Sequence, residues 1–373
     1  MRVSSSCKFA VLTLALAIPS FLFADYTYQE TTQITGGSVL SMMKLAGTFS
    51  SQARKAGEPV VSTVYIKDNR MARVSSDSIE IIDLDKETIT NVDALKHTYT
   101  VMTFEQMRQQ MQQARQELQK RQAEHGNSAP APNPDANDVK MSFDVKVRKT
   151  GAEKQVSGLD SKEAILTMTM NATDQKTQQT GSMAITNDMW MVPAIPGYEQ
   201  VRDFYKRMAE KMGPEAAGLG MDFGKALVQN PGAGQALEDM GKEMQKLDGV
   251  PVMQIMRMGT TANGQPLPAA SEAPLPPDAT PAMPSAGDVA KQSAASALAS
   301  HFGLGGFGHK SSKNDPPPAN QNSNQNSTTP PPTAAILMES QTTTSKFSSD
   351  PVDASHFDVP AGYKQIQTQM EKH

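Results

Sequence analysis

The chain has 373 residues, with 35 Lys and Arg against 39 Asp and Glu, a formal charge of −4 and only 5% aromatics. That balance excludes a nucleic-acid binder, which needs a net basic face to neutralise phosphate. One Cys, one Trp and 24 Met are the compositional extremes.

Arg2 and Lys8 flank the start of an apolar run from Phe9 to Phe23, and Ala24 follows it. A basic start, a short apolar stretch and a small residue before Asp25 read as a secretory signal peptide over 1–24. The run is shorter than the ~20 residues a spanning helix needs, so the exported chain is expected to carry no transmembrane segment. Cys7 lies before the run, whereas a lipidated cysteine would follow it, which argues against a lipoprotein anchor. Removing 1–24 also removes the lone Cys. The mature chain then has no disulfide and no thiolate for nucleophilic or metal chemistry, and must hold itself together by core burial. A periplasmic or secreted location follows.

From Val64 to Val74 the pattern is strand, turn and strand, and Ile79–Leu84 and Thr98–Met102 are two further β-rich runs. Phe104, Met107, Met111, Ala114 and Leu118 then recur at three-four spacing in a Gln-rich run to Glu124, an apolar seam on a polar helix. Thr103 with Gln106 forms its capping-box start. Residues 126–138 are Pro-rich and polar and read as a disordered linker. Met141, Phe143, Val145 and Val147 alternate with polar residues, and Leu166, Met168 and Met170 with Thr, as half-buried strands do. Tyr198, Val201, Phe204, Tyr205, Met208 and Met212 define a second helix. Leu237, Met240, Met244 and Leu247 define a third, stopped by Gly249. Val250–Met258 is another strand. Residues 262–333, rich in Pro, Ala, Asn and Gln, read as a disordered insertion with a candidate short helix over 289–302. Ile336–Thr344 and His356–Val359 complete the strand set. Strands this close together imply hairpin pairing, so the expected fold is mainly β (α+β). It is a curved antiparallel sheet, or incomplete β-barrel, with amphipathic helices packed in or across its concave face. One domain would comprise 25–260 and 334–366.

The 64–74, 81–90 and 97–102 segments, the Ile195-Pro196-Gly197-Tyr198 entry to a helix and the closing Phe357–Lys364 resemble a bacterial secreted family of unknown function. That family is distantly similar to the outer-membrane lipoprotein carriers of LolA/LolB type. The resemblance implies a half-barrel wrapped around helices with an apolar cavity between them. It carries over no functional residue; Arg70 and Arg73 lie nearest the position of the arginine that tethers the carriers' lid.

Chemistry-bearing patterns are sparse. The six His are scattered and no Gly-x-Ser-x-Gly occurs, so no catalytic residue is assigned and no enzyme is expected. Glu80, Asp83, Asp85 and Glu87 lack the glycine and spacing of a calcium loop and suit a turn, so no metal site or cofactor is assigned. Methionine remains, in Met168-x-Met170, Met183, Met189-Trp190-Met191 and Met253-x-x-Met256-x-Met258, all on predicted strands. Thioethers bind Cu(I), which makes a copper carrier one alternative; flexible apolar filling is the ordinary use of the residue. Alternation selects Val145, Val147, Met168, Met170, Met183, Val252, Met256 and Met338 as the lining of an apolar cavity. Phe104, Met107, Met111 and Leu118 would form a lid helix across it, or the seam of a coiled coil with another chain. The leading expectation is an exported binding protein whose partner is an apolar small molecule or lipid. The alternative is an envelope scaffold that recruits a protein through the Gln-rich helix and disordered arms.

Overall fold

The computed structural model describes residues 25–47, 57–110, 112–113, 116–117, 139–174, 180–212, 233–262, 265–275 and 334–367. The segment 1–24 read as a signal peptide, the stretch 126–138 read as a linker, most of 262–333 with the candidate helix 289–302, Met111 and Leu118 lie outside the described residues.

The fold is mainly β: one open sheet of twelve strands with a few helices. In chain order the strands are β1 (Tyr26–Gly36), β2 (Val60–Lys67), β3 (Arg70–Val74), β4 (Ser78–Asp83), β5 (Thr88–Asp93) and β6 (Thr98–Thr103). They continue as β7 (Val139–Val156), β8 (Leu159–Asp174), β9 (Thr180–Val192), β10 (Val250–Ala262), β11 (Ala334–Ser348) and β12 (Lys364–Gln365). The spatial order is β12-β6-β5-β4-β3-β2-β1-β11-β10-β9-β8-β7. Two consecutive meanders, β1–β6 and β7–β11, therefore meet where β1 pairs antiparallel with β11. Every neighbour pair is antiparallel save β12 with β6.

Helix α1 (Gly37–Gly47) follows β1, α2 opens at 104, α3 spans Glu199–Met212 and α4 spans Ala233–Met244. The capping box at α2 forms as its sequence dictates: Gln106 N donates to Thr103 Oγ1 at 3.0 Å, and Thr103 N donates to Gln106 Oε1 at 2.9 Å. Gly249, after α4, sits at φ +100°, and a Cβ there would lie 2.1 Å from the Val192 carbonyl oxygen. Glycine is required on both counts.

Strand alternation and register divide the side chains between two faces. The first face carries Tyr26, Tyr28, Val64, Ile66, Met71 and Ile82 in the β1–β6 half. These join Phe104 of α2 and Val201, Phe204 and Met212 of α3 in one buried cluster. The same face continues through the Thr32–Thr342 hydroxyl contact, 3.0 Å, into the β7–β11 half. The second face buries Ala72 and Ile81 against Val352 and Phe357.

Two expectations need correction. His356–Val359 does not extend as a strand. Ala354–Phe357 is a 3₁₀ turn capped by Asp353, whose Oδ1 accepts from Ser355 N at 2.8 Å, and His356 stacks on Tyr65 with centroids 3.8 Å apart. Residues 265–275, inside the segment expected to be disordered, instead form a strap on the second face of the sheet, with Leu267, Ala269 and Ala270 buried. The anchor is Arg257, fully buried on β10. Its guanidinium donates to the carbonyls of Pro268 (3.0 Å), Ala269 (3.1 Å) and Ala273 (3.0 Å), and to Glu339 Oε2 at 2.9 Å. A Pro/Ala sequence has little side chain to bury, but its carbonyls satisfy a buried cation.

Candidate functional site

The β7–β11 half of the first face is where the predicted lining residues fall. Met168 on β8 is opposite Val145 on β7 and Ile185 on β9. Ile185 is opposite Met258, and Met258 is opposite Met338 on β11. This row crosses five strands. A neighbouring row runs Val147, Leu166, Asn187, Met256, Ser340, and the row on the other side holds the Met170–Met183 pair. Seven of the eight predicted residues therefore share one surface. Met168, Met170 and Met183 are buried, whereas Val145, Val147, Met256 and Met338 are half-buried.

Val252 departs from this group. A register shift between Pro251 and Met253 displaces it, and it is fully buried with Trp190, Val192, Ile195 and Val250 in a separate cluster. Strict alternation does not survive a bulge, which inserts one residue and re-aims those around it.

The predicted lining left out Ile185, Leu166 and Met189, which complete the wall, and Leu247, which the sequence assigns to a helical seam and which packs on the wall from the segment after α4. Glu243 of α4 accepts from Val147 N at 2.9 Å, so a side chain caps one donor of the edge strand β7. Of the predicted lid positions, Phe104 is buried and Met107 packs on the same cluster as Tyr28, Leu84 and Phe204. Both are thereby occupied by the chain's own sheet and helices rather than left for a second chain. Arg108 donates to the Lys211 carbonyl at 3.2 Å, tying α2 to the end of α3.

Between the two halves of the face the lining turns polar and aromatic. Tyr28 stacks on Phe347 at 6.4 Å, and Tyr198 stands edge-on to both Phe347 and Tyr26. Burial raises the Tyr198 phenol to about 12 and drives Tyr28 higher still. Beside them Arg73 reaches Glu30 and Glu80, each at 3.3 Å. Burial opposes the charge on Arg73, but Glu30 foremost, then Tyr205 and Glu80, outweigh it, and the guanidinium is held above its ordinary value. Arg70 lies elsewhere, over the Phe357 ring at 4.8 Å.

The remaining acidic candidates are structural. Asp83 Oδ1 accepts from Asp85 N (3.0 Å) and Lys86 N (2.9 Å), as a turn-forming aspartate does. Burial works to raise its pKa, but these bonds and the Lys86 ammonium lower it overall. No cluster of three or more His, Cys, Asp or Glu suited to a metal occurs among the described residues. The wall is therefore a surface for apolar contact, with one charged, aromatic margin. No protein-family model matches the sequence, and no curated protein matches it.

Proposed function

We propose that the chain is an exported, non-enzymatic binding protein that holds an apolar ligand, a lipid or acyl chain, against the first face of its sheet. The observation that carries this reading is the five-strand row Val145, Met168, Ile185, Met258, Met338, with Val147 and Met256 beside it. Its members at the two ends keep partial solvent contact. Methionine suits such a surface because an unbranched thioether conforms to ligands of different shape. Burial of apolar surface, about 25 cal/mol per Å² removed from water, would supply the affinity, with specificity set mainly by shape. The resemblance to lipoprotein carriers read from the sequence points the same way: in that reading the sheet is a half-barrel and α2 is its lid. Arg73, ion-paired on that face beside Tyr205 of α3, is then the better match of the two candidate lid-tethering arginines.

Titration with an apolar fluorescent probe such as N-phenylnaphthylamine tests the proposal. The wild-type chain should bind the probe, and Met256→Lys with Met338→Lys should weaken binding about tenfold, since two charges are placed on the wall. Both positions are half-buried, so lysine heads can reach water and the fold should persist. Equal binding by the variant would reject the wall as the site.

A further inference from the structure

Methionine is concentrated on one part of the first face. Met258 on β10 lies directly opposite Met338 on β11, and Met256 stands two residues before Met258 on the same side of its strand. Met183 on β9 is opposite Thr260, which places it diagonal to Met258, and it is also opposite Met170 on β8. Met168 adjoins Met170 by the same two-residue step. Six thioether side chains therefore occupy contiguous positions across four adjacent strands.

Core filling explains only part of this patch. Met168, Met170 and Met183 are buried and pack the wall. Met256, Met258 and Met338 are half-buried and sit where the wall meets solvent. Such strand positions ordinarily take Val, Ile, Thr or aromatic residues, whose stiffer side chains suit the pleat, whereas an ordered methionine gives up more rotamer freedom.

The surroundings define what the patch can hold. Its cross-strand partners are Phe143, Val145, Ile185, Asn187, Thr260 and Ser340, none of them charged. A hard divalent ion finds no counter-charge among them. Thioether sulfur is soft and uncharged, and it selects Cu(I). Three rotatable bonds let each methionine swing its sulfur toward a shared ion without moving the backbone.

We propose that this patch is a soft-metal site for a single Cu(I) ion, held by the thioethers of Met256, Met258 and Met338 with Met183 next to them. The site is independent of whether the wall also holds a lipid. One use needs sulfur from these residues, the other only their apolar surface.

Leucine separates the two uses, since it keeps volume and apolar character and removes the sulfur. The full chain is titrated with Cu(I), kept reduced and in competition with bicinchoninate, and with Ag(I) in chloride-free buffer as a redox-inert stand-in. Wild type should take up about one ion per chain, and excess Zn²⁺ should not displace it. The triple variant Met256→Leu, Met258→Leu, Met338→Leu should bind Cu(I) weaker by about tenfold or more, and Met338→Leu alone should already weaken it. Both should unfold close to the wild-type temperature and take up N-phenylnaphthylamine as wild type does. A wild-type chain that gives up all its Cu(I) to the chelator would overturn the proposal, as would a triple variant that binds like wild type. Displacement by Zn²⁺ would also overturn it, by assigning the ion to nitrogen or oxygen ligands elsewhere. Wild type that binds Cu(I) at these methionines but takes up no apolar probe would reject the ligand reading and leave this site standing.

Discussion

Arg257 and Glu339 form a buried ion pair, further satisfied by three strap carbonyls and by Thr35 Oγ1, which donates to Glu339 Oε1 at 3.0 Å. Removing one partner strands the other charge, so Glu339→Ala should cost about 3–5 kcal/mol in urea unfolding. Glu339→Gln, which keeps an acceptor for the guanidinium and leaves its three strap carbonyls in place, should cost less, and equal losses in the two would contradict this account. Asp188 is the second buried anchor; its Oδ2 accepts from Ser271 N of the strap at 2.7 Å. Burial raises its pKa, the Ser271 and Ala270 bonds partly offset this, and Glu163 adds to the rise. The folded state thus favours the protonated carboxyl, and stability present at low pH is lost as pH rises from the ordinary Asp value through the raised one. Asp188→Asn keeps an acceptor without the charge, so its stability relative to wild type should increase over that window; a pH-independent difference would show that the charge is not strained. Neither residue was legible in the sequence. Arg257 interrupts a Met-rich strand and Asp188 precedes Met189-Trp190, while their partners lie 82 and 83 residues away. A period-two pattern states which face a side chain takes and is silent about what covers that face.

Local chemistry made several elements readable. The Thr103/Gln106 box starts α2 where its residues require, and Thr103→Ala should cost about 1 kcal/mol, measured by chemical denaturation with faster amide exchange confined to 104–110. Gly249→Ala should cost about 2 kcal/mol or more, because the residue is left-handed and a Cβ meets the Val192 carbonyl. A milder effect would mean that this turn relaxes freely. Other elements were hidden for physical reasons. α1 has almost no polar face, so it offers no amphipathic period, and β1 alternates tyrosines with Thr and Gln in a pattern too polar to stand out. The Asp353-capped turn looked like a strand because Phe357 and Val359 alternate, whereas Asp353 closes the backbone on itself.

At the scale of the molecule, alternation along five strands and antiparallel pairing between them put Val145, Val147, Met168, Met170, Met183, Met256 and Met338 on one surface. Alternation within each strand was legible, because the side-chain period is two; register follows from short turns only for β7–β8 and β8–β9, since long stretches of chain separate β9 from β10 and β10 from β11. The strap was not, since its stability comes from a cation on β10 rather than from its own residues. Nor was the order of the sheet, in which the chain starts beside β11, builds out to β6 and returns from the opposite edge. The two faces thus differ in kind: one is apolar and backed by helices, the other closed by a strap over buried charges. The most direct test is native mass spectrometry, with solvent extraction, of the chain purified from its own host without detergent. A fatty-acyl or lipid adduct near one per chain, absent from the Met256→Lys, Met338→Lys variant, is the predicted result. A wild-type chain that is consistently bare and also takes up no apolar probe would contradict the account.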